Sequence, residues 1–155
     1  MGYVFIEKDK RRIDMQYLKK MDVPEGPHLK DLQEGKSIVY KGKKINVDDS
    51  TYIVHGKRIA YVLDTISCNN ALVLADNADI MICESTYATA LQEKADEHKH
   101  MTAKDAALLA QQANVKKLIL THFSQRYKTV EEIEQDAKMH FPETVCAYDF
   151  MKVNI

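Results

Sequence analysis

The sequence predicts an α/β fold, and three observations carry that expectation. Residues 59–63, 80–83 and 118–120 are continuous apolar runs of strand length, the pattern of parallel strands covered on both faces. Stretches with helical spacing separate them. The composition, 45% hydrophobic and 29% charged over 155 residues, is that of a soluble globular chain with room for one core.

The same arithmetic excludes several classes. Lys and Arg number 22 against 23 Asp and Glu, so the chain lacks the overall basic surplus of a dedicated nucleic-acid-binding domain. The basic clusters at residues 8–12 and 41–44 are left as solvated faces with the capacity to touch RNA. Cys68, Cys83 and Cys146 are odd in number and show no C-x-x-C spacing, which argues against a disulfide framework or a cysteine metal site and fits a reducing compartment. No apolar run approaches the ~20 residues of a membrane span, and the charged first twelve residues are unlike a secretory signal. The expectation is a cytoplasmic protein with no membrane partner.

Taken in order, residues 3–6 read as a strand, residues 14–20 as a short helix carrying Met15 and Leu18, and residues 23–27 as a turn rich in Pro and Gly. Residues 37–40 and 43–47 flank Lys41-Gly42 as a hairpin. These make up a first segment, residues 1–57. A β-α-β-α-β segment follows over 58–155, the two forming a single unit. Asn69 or Asn70 is expected to cap a helix to about Ala75, and Tyr87, Leu91 and Ala95 recur at i+4 spacing. Thr102-Ala103-Lys104-Asp105 resembles a capping box, and Thr129-Val130-Glu131-Glu132 opens a helix that buries Val130, Ile133 and Ala137. Residues 144–147 and 151–153 are the last expected strands.

In open α/β sheets the chemistry gathers beyond the carboxyl ends of the strands. Asp64, Glu84 and His122 each follow one of the three apolar runs. Taken singly, Asp64 is explained as a turn cap, Glu84 as the partner of a surface lysine and His122 as a hydrogen-bonded core histidine. Their coincidence favours a site. His98 is accounted for by a solvated helix end. His100 directly precedes the Thr102 cap, where an acidic neighbour such as Glu84 would favour its protonated form and make a proton-delivering pair. Ser124 and Arg126, just after His122, suit a phosphate, with Arg126 stacked on Tyr127 as the plain alternative.

Val62-Leu63-Asp64-Thr65, Cys83-Glu84-Ser85-Thr86, His100-Met101-Thr102 and the block from Leu120 to Tyr127 occur in the order and spacing of tRNase Z (ribonuclease Z), of the metallo-β-lactamase superfamily. The segment from Val23 to Pro27 with Leu32 and Gly35 is similar to a part of that family as well. The resemblance implies the C-terminal half of an αββα sandwich, with a mixed sheet and helices packed on one side. It implies a hydrolase that removes 3′ trailers from precursor tRNA with two zinc ions. Asp64 would bridge the metals, His122 would be a ligand of one of them, and His100 with Glu84 would protonate the leaving oxygen. Ser124, Arg126 and Thr102 would lie near the substrate phosphate.

The chain departs from the family at Leu63, Cys83 and Met101, where Gly, His and a small residue are usual. The family's H-x-H-x-D-H signature, which supplies most zinc ligands, has no counterpart here, nor has the tRNA-gripping arm. The expected partners are therefore a missing N-terminal half or a second subunit, with a homodimer formed through the exposed sheet. The chain alone is expected to be inactive. The rival expectations are a non-catalytic association module and a metallo-phosphodiesterase half with a non-tRNA substrate.

Overall fold

The computed structural model describes residues 1–155. In chain order the elements are β1 (Gly2–Ile6), β2 (Lys10–Ile13), α1 (Met15–Lys20), α2 (Leu29–Gln33), β3 (Ile38–Tyr40), β4 (Lys43–Ile45), α3 (Val47–Ser50), β5 (Thr51–Val54) and β6 (Arg58–Val62). They continue with α4 (Asn69–Ala75), β7 (Ile80–Glu84), a 3-10 turn at Thr89–Leu91, α5 (Gln92–His98), α6 (Ala103–Gln112), β8 (Lys117–Thr121), α7 (Glu131–Lys138) and β9 (Thr144–Cys146).

The chain divides into two compact units, one of Met1–Ile6 with Lys57–Ile155 and the other of Glu7–Gly56. The larger holds a five-stranded sheet in the order β1-β6-β7-β8-β9. β1 runs antiparallel to β6, and β6, β7, β8 and β9 are mutually parallel, so the sheet is mixed as expected.

Alternation along the strands sends Ala60, Val62, Met81, Cys83, Leu118, Leu120 and Cys146 to one face, where they form a single core with Ala71, Ala75, Leu109, Ile133 and Ala137 of α4, α6 and α7. Four alanines of α6, Ala103, Ala106, Ala107 and Ala110, are fully buried, and their small side chains let this helix lie close against β7 and β8. Each fully buried Leu or Met on this face contributes about 1.5–3 kcal/mol. The opposite face carries Tyr3, Phe5 and Tyr61, which stay 61%, 63% and 37% exposed. The apolar run of β6 is thus covered on one face only, whereas β7 is buried along almost its whole length.

Local signals explain most boundaries. Thr102 and Asp105 form the reciprocal capping box that opens α6. Asn77 and Asn114, just past α4 and α6, take the left-handed conformation that ends helices. Asp79 pins the entry to the sheet: its carboxylate accepts from the Arg58 amide at 2.8 Å and from Lys116 Nζ at 2.7 Å. The Lys116 ammonium and that amide hold its carboxyl below the usual carboxylate value. The associated stabilisation is therefore present above that value and is lost as acid lowers the pH through the depressed one.

Five expectations are corrected. Tyr87 is not helical: it makes a parallel bridge with Thr102, accepting from the Ala103 amide at 2.9 Å, and this tertiary pairing overrides the i+4 pattern. Cys68, not an asparagine, precedes α4, and α7 starts one residue later than its Thr129 signal implies. Residues 151–153 form no strand. Val47 leaves the hairpin to open α3. The pair β2 and β5, unforeseen because Lys10–Ile13 is so charged, is held partly by Arg11 donating to Thr51 Oγ1 at 2.7 Å.

The smaller unit has its own core of Leu18, Val23, Leu29, Leu32, Ile38 and Ile45. Lys41 and Gly42, with φ of 49° and 78°, make the tight turn of the expected β3–β4 hairpin. No helix is long and apolar enough to cross a membrane.

All three cysteines are free thiols. Burial pushes the Cys83 thiol far up and the Cys146 thiol up to about 12, while Cys68 is exposed. A thiol reagent at about pH 8 is expected to modify Cys68 alone in the native protein and all three after denaturation. Mass spectrometry of the labelled chain checks this, and native labelling of Cys83 would contradict the packing of the sheet.

Candidate active site

Three parallel strands deliver the site. Asp64 lies just past β6, Glu84 ends β7, and His122 directly follows β8. Asp64 and His122 both have positive φ, 50° and 59°. Asp and His tolerate this region better than most residues, yet it carries strain, and strain of this kind concentrates at functional sites. The reversal turns both side chains back across the strand ends, bringing His122 Nε2 to 3.2 Å from Asp64 Oδ1.

Glu84 is completely buried and receives four donors. Its Oε1 accepts from the Thr65 amide at 2.5 Å. Its Oε2 accepts from Thr86 Oγ1 at 3.0 Å, from His100 Nδ1 at 2.9 Å and from the Met101 amide at 3.1 Å. A buried carboxyl group surrounded by donors is held in place. It also fixes the orientation of His100, whose Nε2 is left free to act.

Thr86 links the two histidines. Its hydroxyl donates to Glu84, so its lone pair accepts the Nδ1–H of His122 at 3.0 Å. That sets the His122 tautomer and leaves Nε2 with a lone pair. A lone pair and a carboxylate oxygen 3.2 Å apart repel unless a proton or a cation sits with them. Asp64, His100 and His122 each offer one ligand atom, and these atoms lie within 4.8 Å of one another. A carboxylate and an imidazole from Asp64 and His122, with His100 beside them, fit part of a catalytic-type metal site with open positions.

The other expected residues gather nearby with distinct roles. Ser124 donates its amide to the Thr86 carbonyl at 3.0 Å, and Arg126 Nε reaches Ser124 Oγ at 3.2 Å. The Arg126 guanidinium lies over Tyr87, 5.1 Å from the ring centroid, and not on Tyr127 as the plain alternative expected. Tyr127 instead accepts from the Ala88 amide at 2.8 Å. Thr102 is fully buried, with its hydroxyl engaged by Gln92 and Asp105. His98 stacks on Tyr87, 6.3 Å between ring centroids. Nothing in the sequence points to a role for Thr86 or Tyr87. The one signal is a hydroxyl two residues beyond a strand-end acid.

No family model matches the chain. A protein named Ribonuclease Z from Protochlamydia amoebophila is 41% identical over 160 residues, covering 100% of this chain and 52% of that protein. The crystal structure of human tRNase Z, short form, aligns with a TM-score of 0.52 and 29% identity over 77% of this chain and 41% of that one. The metallo-beta-lactamase fold protein YhfI from Bacillus subtilis aligns with a TM-score of 0.55 and 22% identity over 63% of this chain and 40% of that chain. The fold is part of the metallo-β-lactamase fold. The chain spans about half the length of the curated relatives it matches, between 41% and 52% of the leading ones.

Proposed function

From a chain that resembles about half of ribonuclease Z along its whole length, we propose that this protein is the C-terminal half of a zinc-dependent endoribonuclease that removes 3′ trailers from precursor tRNA. The observation that carries the reading is the convergence of Asp64 and His122, at the ends of parallel strands, with His100 from the α5–α6 link, backed by the buried Glu84.

In this reading Asp64 and His122 would hold metal. Zinc, when bound, activates water and neutralises the charge that builds on the phosphate. His100, oriented by Glu84, carries a proton on Nε2 toward the leaving oxygen. Thr86 keeps His122 in the tautomer that presents Nε2. Arg126, supported by the face of Tyr87, meets the substrate phosphate together with Ser124. Two zinc ions need more ligands than this chain offers, so the site is complete only with an N-terminal half, supplied in line or by a partner.

The test mixes the purified chain with the complementary half of the Protochlamydia relative and assays precursor tRNA cleavage with added zinc. Cleavage is expected from the mixture, none from the chain alone, and a loss of at least about a thousandfold in the Asp64→Ala and His122→Ala mixtures. Robust cleavage by the chain alone, abolished by Asp64→Ala, would overturn the proposed incompleteness. Hydrolysis of small phosphodiesters without tRNA cleavage would select a different substrate.

A second reading has an observation of its own. The exposed aromatic sheet face of Tyr3, Phe5 and Tyr61 suits an association module that dimerises without catalysis. Sedimentation giving a monomer at all concentrations would remove it.

A further inference from the structure

We infer that the cleft beside His100 is a base pocket selective for guanine, and that it takes the base of the nucleotide carrying the leaving oxygen. Ile66, from the loop after Asp64, forms one side of it. Gln92, Asp96 and Lys99 of α5, His100 and Asp105 of α6 form the rest, around a volume of ≈ 380 Å³, room for one nucleobase.

The polar wall is held together by its own hydrogen bonds. Gln92 Nε2 donates to Asp96 Oδ1 at 3.0 Å and to Asp105 Oδ2 at 3.1 Å, so one amide fixes two carboxylates. Thr102 braces the wall from behind, its amide donating to Asp105 Oδ2 at 3.0 Å and its hydroxyl at 2.7 Å. These contacts occupy one oxygen of each carboxylate. Asp96 Oδ2 and Asp105 Oδ1 accept nothing from the chain and are left for a ligand. Lys99 ends α5 with a left-handed φ of 62°, the reversal that carries the chain on to His100, and its ammonium belongs to no ion pair.

The lining selects its ligand by donor and acceptor. A carboxylate only accepts and an ammonium only donates. Guanine matches both: N1–H and N2–H stand side by side for a carboxylate, and O6 lies next to them for the ammonium. Uracil offers a single N–H between two carbonyl oxygens, which the acidic wall repels. Adenine and cytosine, with one amino group each, fall between. Unstacked RNA bases are read along this edge, and Ile66 gives the ring face an apolar side. The two acids keep phosphates out of the cleft, leaving them to Arg126, while the Lys99 ammonium opposes a metal ion there.

The choice of nucleotide rests on the proposed reaction. His100 lines the cleft and hands its proton to the leaving oxygen, so the base beside it belongs to the nucleotide that keeps that oxygen.

Two measurements separate the pocket from the reaction. In the first, the four ribonucleoside 5′-monophosphates are titrated into the full chain with a chelator present, followed by two-dimensional amide NMR. Their common phosphate cancels in the comparison. GMP is expected to bind at least about fivefold tighter than UMP, with the largest shifts at Ile66 and residues 92–100. Asp96→Asn should cut that preference to below about twofold. Lys99→Gly, which suits the left-handed backbone, should lower it by about threefold. Glu97→Gln, the same charge change on α5 outside the cleft, should preserve it. In the second, the complemented enzyme cleaves precursors with G or U at the nucleotide carrying the leaving oxygen. A lower KM for G is expected, lost in Asp96→Asn.

Equal binding of GMP and UMP, a preference untouched by Asp96→Asn, or one that Glu97→Gln abolishes as fully overturns the pocket. A GMP preference with cleavage indifferent to that base overturns the choice of nucleotide. A GMP preference without any cleavage by the complemented mixture refutes the reaction and keeps the pocket. Cleavage indifferent to the base, with no GMP preference, does the reverse.

Discussion

Glu84→Ala is expected to destabilise the native chain by about 3–5 kcal/mol, the largest effect of any single side chain at the site. The parent carboxylate is wholly buried and satisfies two amides, a hydroxyl and an imidazole. Removing it leaves those four donors facing an apolar void. Glu84→Gln fails for a different reason, because one oxygen becomes an amide that points N–H groups at donors. Urea unfolding followed by circular dichroism measures both. A loss below about 1 kcal/mol in the alanine variant would show that the carboxylate is no anchor.

Asp64→Gly should separate stability from activity. Asp64 occupies the left-handed region, which glycine enters without steric cost, so the substitution relieves strain worth about 1 kcal/mol. What it removes from the fold is one exposed contact with His122, worth no more than about 1 kcal/mol either way. The unfolding free energy is therefore expected to stay within about 1 kcal/mol of the parent. In the complemented enzyme, cleavage should fall by at least about a thousandfold with the loss of a metal ligand. A markedly less stable variant, or one that retains cleavage, would contradict the role drawn from the strained backbone.

How far the sequence discloses this molecule depends on the range of each interaction. The three parallel strands were legible because their apolar runs report burial residue by residue, and the α6 cap because Thr102 and Asp105 are neighbours on the chain. Tyr87 misleads because its i+4 spacing is local, while the bridge to Thr102 that sets its conformation spans fifteen positions. The charged β2 was invisible because Lys10–Ile13 lacks the apolar alternation that announces a strand. At the site, Asp64, Glu84 and His122 followed from the strand-end rule. Thr86 did not: its task of joining Glu84 to His122 exists only once two strands lie side by side.

β1 pairs with β6 up to Ile6 and Arg58, so the chain leaves the sheet and returns to it one strand spacing apart. In topology the Glu7–Gly56 unit is thus an enlarged hairpin loop. Closing such a loop costs entropy that grows only with the logarithm of its length, so fifty residues burden the sheet little more than a short turn would. With its own core, the excursion behaves as a cassette. It is free to change or to be exchanged while the strand ends that carry Asp64, Glu84 and His122 keep their register.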